Sequence, residues 1–135
     1  MFIPVHYVGV AVGMAVVDES LAVLSASLVW RLEVPRTIRR LASGRQDILV
    51  ATLREDETKL QRCHPYCWIT ANFPLRLSRV ALRPDLVDTI NILSLGDDNK
   101  QALADLRNTI KSIHRVVYLD GNRLNCTTAN IREVQ

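Results

Sequence analysis

The sequence predicts an α+β fold in a single small domain, and three observations carry that expectation. The chain has 135 residues, 48% of them apolar and 23% charged, a globular composition at a length that suits one hydrophobic core. It opens on a valine-rich run without helix caps, which favours strand. Towards its end an amphipathic helix pattern gives way to an apolar run and an Asp-Gly-Asn turn, so helix and strand signals share one short chain. No linker or low-complexity stretch divides it, and no disordered tail is expected.

In order along the chain, residues 3–17 (IPVHYVGVAVGMAVV) read as one long or bent strand, with Gly9 and Gly13 marking a bulge or a close backbone approach. Asp18 can cap a helix through ESLAVLSASLVW, where Leu21, Leu24, Leu28 and Val29 recur at near-helical spacing. Pro35 ends that pattern, and TIRRLASGRQ reads as an arginine-rich connection turning at Ser43-Gly44. A strand is expected over Ile48–Leu53, followed by a helix start in the acidic REDETKL. CWITANF and LRLSRVAL read as strands around Pro74, and residues 86–95 as another, ended by Gly96. The segment DDNKQALADLRNTIKSIH is the clearest helix. Asp97 or Asp98 can cap it, Leu103, Leu106, Ile110 and Ile113 line one face, and His114 is placed to cap its last carbonyls. VVYL is then a strand, and Asp120-Gly121-Asn122 a tight turn whose glycine supplies positive φ. Arg123–Cys126 return as a second strand, and Thr127 or Thr128 caps a helix TANIREVQ. The domain so read comprises a strand–helix region 1–55, a β-rich region 56–96, a long helix 97–114 and a closing ββα unit 115–135.

The formal net charge is +3, and all but three of the 17 Lys and Arg residues are arginine, the lysines standing at 59, 100 and 111. Arginine's planar fork suits phosphate and carboxylate, so the charge permits a nucleic-acid partner without requiring one. The odd count of three cysteines gives no disulfide framework. No cationic stretch precedes an apolar one as in a secretion signal, so the chain is not expected to be secreted, and the sequon Asn125-Cys126-Thr127 is read as incidental. The apolar run Val8–Trp30 carries Asp18 and Glu19 at its middle, which argues against a membrane span.

The segment YLDGNRLNCTTANIREV resembles the ββα-metal motif of HNH endonucleases of the phage and homing type. Asp120-Gly121-Asn122-Arg123-Leu124-Asn125-Cys126 is similar to that family's turn and second strand, and Asn130-Ile131-Arg132 to its Asn-Leu-Arg, expected on a helix. AVVDESLAVLSASLVWRL, from Ala15 to Leu32, is a weaker likeness to the family's Val-Asp-Asp/Glu segment leading to Trp. The resemblance implies structural roles for Asp120, Gly121, Asn122, Asn125 and Asn130, the last holding the hairpin's geometry. It also implies an Asp-His pair, one ligating a divalent metal and the other acting as general base, but those positions are Val117 and Tyr118. Valine offers no donor, and a phenol with a pKa near 10 is a poor base at neutral pH. A further Asn or His ligand of the family lies later in, or beyond, the helix, and Gln135 comes before it.

The expectation is therefore a catalytically inactive HNH-derived protein, with no cofactor, no metal and no small-molecule substrate. It serves as a structural or accessory subunit of a larger phage or ribonucleoprotein assembly, in the cytoplasm or within a phage particle. The alternative is a protein that binds the backbone of DNA or RNA, with a residual nuclease ranked last. Candidate phosphate contacts are Arg36, Arg39, Arg40, Arg123 and Arg132, with further arginines at 76, 79 and 83. Cys63, His64, Cys67 and Cys126 are weak zinc candidates, since three residues rather than two separate the paired cysteines. Glu55, Asp56 and Glu57 read as solvated acids at a helix start.

Overall fold

The valine-rich opening folds back on itself instead of running on as one strand. In the computed structural model, which describes residues 1–94 and 100–135, β1 (Phe2–Tyr7) and β2 (Val10–Val16) form an antiparallel hairpin. Val8 and Gly9 both take positive φ, 47° and 80°, as a two-residue hairpin turn requires. Gly13 permits a close approach: a Cβ placed on it would lie 2.5 Å from a methyl carbon of Leu60.

A 3-10 turn (Glu19–Leu21) leads into α1 (Ala22–Ser27), and the chain extends again at Leu28. Leu21 and Leu24 are buried, but Val29 points to solvent. Asp18 stands before this helix without capping it; its carboxylate instead accepts the Thr128 backbone N–H at 3.1 Å. β3 (Arg31–Glu33) lies parallel to β1. The arginine-rich connection is itself a short helix, α2 (Arg36–Leu41), and the turn expected after it has positive φ at Ser43 and Gly44.

Three segments expected as strands are helices. Apolar runs of six to ten residues do not declare their period, and the spacing of their buried residues is helical. α3 (Gln46–Glu55) buries Leu49 and Leu53, four apart, and exposes Ile48. After α4 (Glu57–Leu60), β4 (His64–Thr70) and β5 (Phe73–Arg76), α5 (Leu77–Leu82) buries Leu77, Val80 and Ala81. α6 (Val87–Ser94), entered through a 3-10 turn (Pro84–Leu86), buries Ile90 and Leu93. Region 56–96 is thus mixed rather than β-rich. The acidic start of α4 is as expected: the Asp56 carboxylate accepts the Lys59 N–H at 3.2 Å.

The five-stranded sheet has the order β2-β1-β3-β4-β5, parallel between β1 and β3 and antiparallel elsewhere. Ile3, Val5, Leu32, Cys67, Ile69 and Leu75 point to the core on one face, where α5 and α6 pack on β4. The long helix α7 (Lys100–Lys111) is present, with Leu106 wholly buried and Leu103 and Ile110 partly so. Gly96, Asp97 and Asp98, expected as a strand end and helix caps, lie outside the described residues. The end of α7 is capped by Arg79 rather than by the exposed His114: the Arg79 guanidinium donates to the carbonyls of Ile110 and Ile113. Arg79→Ala should therefore cost about 2 kcal/mol, the loss of charge-assisted hydrogen bonds, measured as a lower urea midpoint at unchanged slope.

The closing segment departs furthest from expectation. β6 (Arg115–Tyr118) pairs antiparallel with β7 (Ile131–Val134), so the segment expected as a helix is a strand. An isolated helix of eight residues is unstable without packing, whereas pairing satisfies the backbone of both strands. Arg123–Cys126 does not return along β6 either. The Val16 N–H donates to Leu124 O and the Cys126 N–H to Val16 O, each at 2.8 Å, which docks this stretch on the edge of β2. The unit is an antiparallel hairpin closed by a long loop, not a ββα motif.

Candidate functional site

The loop between β6 and β7 is ordered by its own short polar side chains. Asn130, almost fully buried, donates from Nδ2 to Asp120 Oδ1 and to Asn125 O, and its Oδ1 accepts the Asp120 N–H, each at 2.9 Å. Asp120 Oδ1 also accepts the Asn122 N–H, and its Oδ2 accepts Asn125 Nδ2 at 3.0 Å. Gly121 sits at φ 76°, where a side chain would be strained. The hydrogen bond from Asn125 lowers the pKa of Asp120, helped by the Asn122 and Asn130 bonds. Asn130 thus ties the two ends of the loop together from the entry to a strand.

This loop and β6 wall a cavity of about 490 Å³ against the ends of β4 and β5 and the start of α5. Arg76, Arg79, Arg115 and Arg123 converge on it from four separate elements, with His64, His114, Ser78 and Tyr118 among the other polar groups. No Asp or Glu is among the described residues that line it. The nearby Glu33 is ion-paired to Arg76 at 2.7 Å. Arg79 and Arg123 are each anchored on backbone carbonyls, Arg123 on Arg62 O at 2.9 Å. The cavity therefore concentrates positive charge around its own volume.

His64 is the group most affected. Its Nδ1 is buried and has no hydrogen-bond partner. Burial, reinforced by Arg76 and Arg123, pushes its pKa down to about 4, so it is neutral at pH 7. Its ring lies 6.2 Å from that of Tyr118. Burial raises the Tyr118 phenol, against an opposing hydrogen bond with Ser78. Tyr118 is therefore a neutral hydrogen-bonding group at pH 7 rather than a base. Val117, half-buried in β6 opposite Arg132, brings no donor atom. The donor set does not fit the divalent metal that the resemblance implies, and no hydrolytic step can be drawn through these residues.

The zinc candidates do not gather. Strand alternation turns Cys67 into the core and His64 outward to the cavity, and the Cys63 and Cys126 thiols donate to the carbonyls of Lys59 and Arg123. Burial pushes the thiols up, Cys63 to about 11 and Cys67 and Cys126 to about 12, which keeps them protonated. Among the described residues, no group of three His, Cys, Asp or Glu side chains stands close enough to hold a metal ion.

Of the arginines expected at phosphates, Arg123, Arg76 and Arg79 line the cavity, and Arg83 is instead paired with Asp85. Arg132 spends its Nη1 on the carbonyls of Thr128 and Ile131. Arg36, Arg39 and Arg40 are exposed on α2, with Arg39 lining a separate groove. Arg115 carries no sequence signal, and the sequence marks His64 only as a zinc ligand. Their convergence is tertiary, although the alternation of β4 does place His64 opposite the cysteines. Among the described residues, no helix is long and apolar enough to cross a membrane. Comparison with protein-family models, with curated proteins and with solved structures found no match to the chain.

Proposed function

We propose that this protein is a catalytically inactive, HNH-derived binding module whose basic cavity takes a backbone phosphate of nucleic acid. The observation that carries the reading is the cavity itself: four guanidinium groups from separate elements around a carboxylate-free lining. Guanidinium forks match the two non-bridging oxygens of a phosphodiester, and neutral Tyr118 supplies one more donor. The cavity lies against β6, where the motif places the Asp-His pair that Val117 and Tyr118 replace. On this reading the site still holds a phosphate and no longer cuts it.

Binding measured by fluorescence anisotropy with a labelled oligonucleotide should weaken as salt rises, log affinity falling linearly with log salt through counterion release. The double substitution Arg76→Gln, Arg115→Gln should reduce that slope by about two units, one for each guanidinium removed from a phosphate. Absence of binding at low salt would sink the proposal. Plasmid DNA incubated with the protein and Mg²⁺ or Mn²⁺ should stay uncut; cleavage that disappears in Tyr118→Phe would restore the nuclease reading.

A second reading, a structural subunit of a phage or ribonucleoprotein assembly, draws on Phe2 and Met14, exposed on neighbouring strands at one edge of the sheet. It predicts that the purified protein ignores nucleic acid and co-purifies with a protein partner.

A further inference from the structure

The outer face of the five-stranded sheet carries a row of side chains that meets the cavity only at Arg76. The register aligns His6 with Arg31, Arg31 with Tyr66 and Tyr66 with Arg76, across β1, β3, β4 and β5. The next outward pair along β4 and β5 is Trp68 and Pro74. The Tyr66 and Trp68 rings meet edge to face at 5.6 Å, and Trp68 is 47% exposed. A groove of about 330 Å³ on this side is lined by Tyr66, Trp68, Pro74, Tyr7 and, from α2, Arg39. Glu33 lines the groove and its ion-pair partner Arg76 lines the basic cavity, so a single salt bridge stands between the two.

We propose that this face is a stacking platform for the bases of single-stranded nucleic acid whose backbone enters the basic cavity, an inference that rests on the phosphate reading of that cavity. An exposed Trp68 beside the half-buried Tyr66, interleaved with arginine on an open sheet and continuous with a phosphate site, is what an unpaired strand needs: π-faces for bases and cations for the backbone. A duplex keeps its base faces stacked inside and cannot use Tyr66 or Trp68. A second copy of this chain would bring Arg31, Arg39 and Arg76 against the same arginines, which charge repulsion opposes. The Glu33 carboxylate is neutralised by Arg76 and does not reverse the sign of the surface.

The test uses fluorescein-labelled dT12, rU12, a 12-residue abasic deoxyribose-phosphate strand and a 12-base-pair duplex, at two salt concentrations. The expected result is at least tenfold tighter binding of dT12 or rU12 than of the abasic strand or the duplex. Trp68→Ala should lose about tenfold on dT12 with its salt slope unchanged, while Trp68→Phe retains most of the affinity. Equal, salt-sensitive affinity for dT12 and the abasic strand would overturn the platform and leave the phosphate reading standing. So would a Trp68→Ala variant with parental far-ultraviolet dichroism and parental affinity. Failure to bind either strand at low salt overturns both.

Discussion

Asn130→Ala is expected to lower stability by about 3 kcal/mol, at the upper end for loss of a buried hydrogen-bonding group, and the melting temperature by about 10 °C. The side chain is 7% exposed and makes hydrogen bonds with Asp120 and Asn125, including one from the Asp120 backbone N–H. Alanine removes both donors and the acceptor at once, and leaves partners on the loop unpaired. The effect should not stay local. The same loop docks on β2 through Val16 and, through Thr128, on the Asp18 carboxylate. Asn130→Asp is the informative companion: it keeps an acceptor for the Asp120 N–H but sets a second carboxylate beside that of Asp120. It should be at least as damaging as alanine. A thermal melt superimposable on that of the parent protein would show that the loop does not depend on this amide.

How much of this was legible beforehand follows from the range of each signal. The α7 periodicity, the acidic start of α4, the Ser43-Gly44 turn and the φ of Gly121 are set by neighbours within a turn, and each was readable. The ILVATL and LVDTINILSL runs were not, because Leu49 and Leu53, or Ile90 and Leu93, show helical spacing only once burial sorts them from Ile48 and Ile92. Ile131–Val134 became a strand because β6 offered its backbone a partner, a fact written in no window of eight residues. The cavity was the least legible element. Arg76 and Arg79 stand near each other in sequence, but Arg115 and Arg123 reach them only through the fold, and the pKa of His64 is depressed first by its burial and then by the arginines that meet there. A cluster of charge drawn from four elements has no local pattern to read.

That meeting has a consequence that acidity exposes. With the cavity free, His64 stays neutral down to about pH 4, against an ordinary value of 6.5. Its folded pKa lies below its unfolded one, so the unfolded chain takes up the proton first. The associated stability is complete above pH 6.5 and is lost as pH falls from there through about 4. A phosphodiester in the cavity reverses the local balance. Its negative charge opposes the repulsion from Arg76, Arg123 and Arg79 and raises the pKa of His64, so binding takes up a proton. Affinity for a phosphodiester, which does not itself titrate here, should therefore rise as pH falls from 7 towards 4. Burial, the larger cause of the shift, persists in the complex, so the gain stays below the roughly two orders of magnitude that full restoration of the ordinary value would give. Glu33 and His114 lie close enough to contribute, and the control for both is His64→Gln. Measured at constant ionic strength, the parent should bind more tightly at pH 4.5 than at pH 7, and His64→Gln should show a flat profile. A parent profile that is itself flat would mean that no anion reaches His64, and a rise that survives the substitution would assign the proton to another group in the cavity.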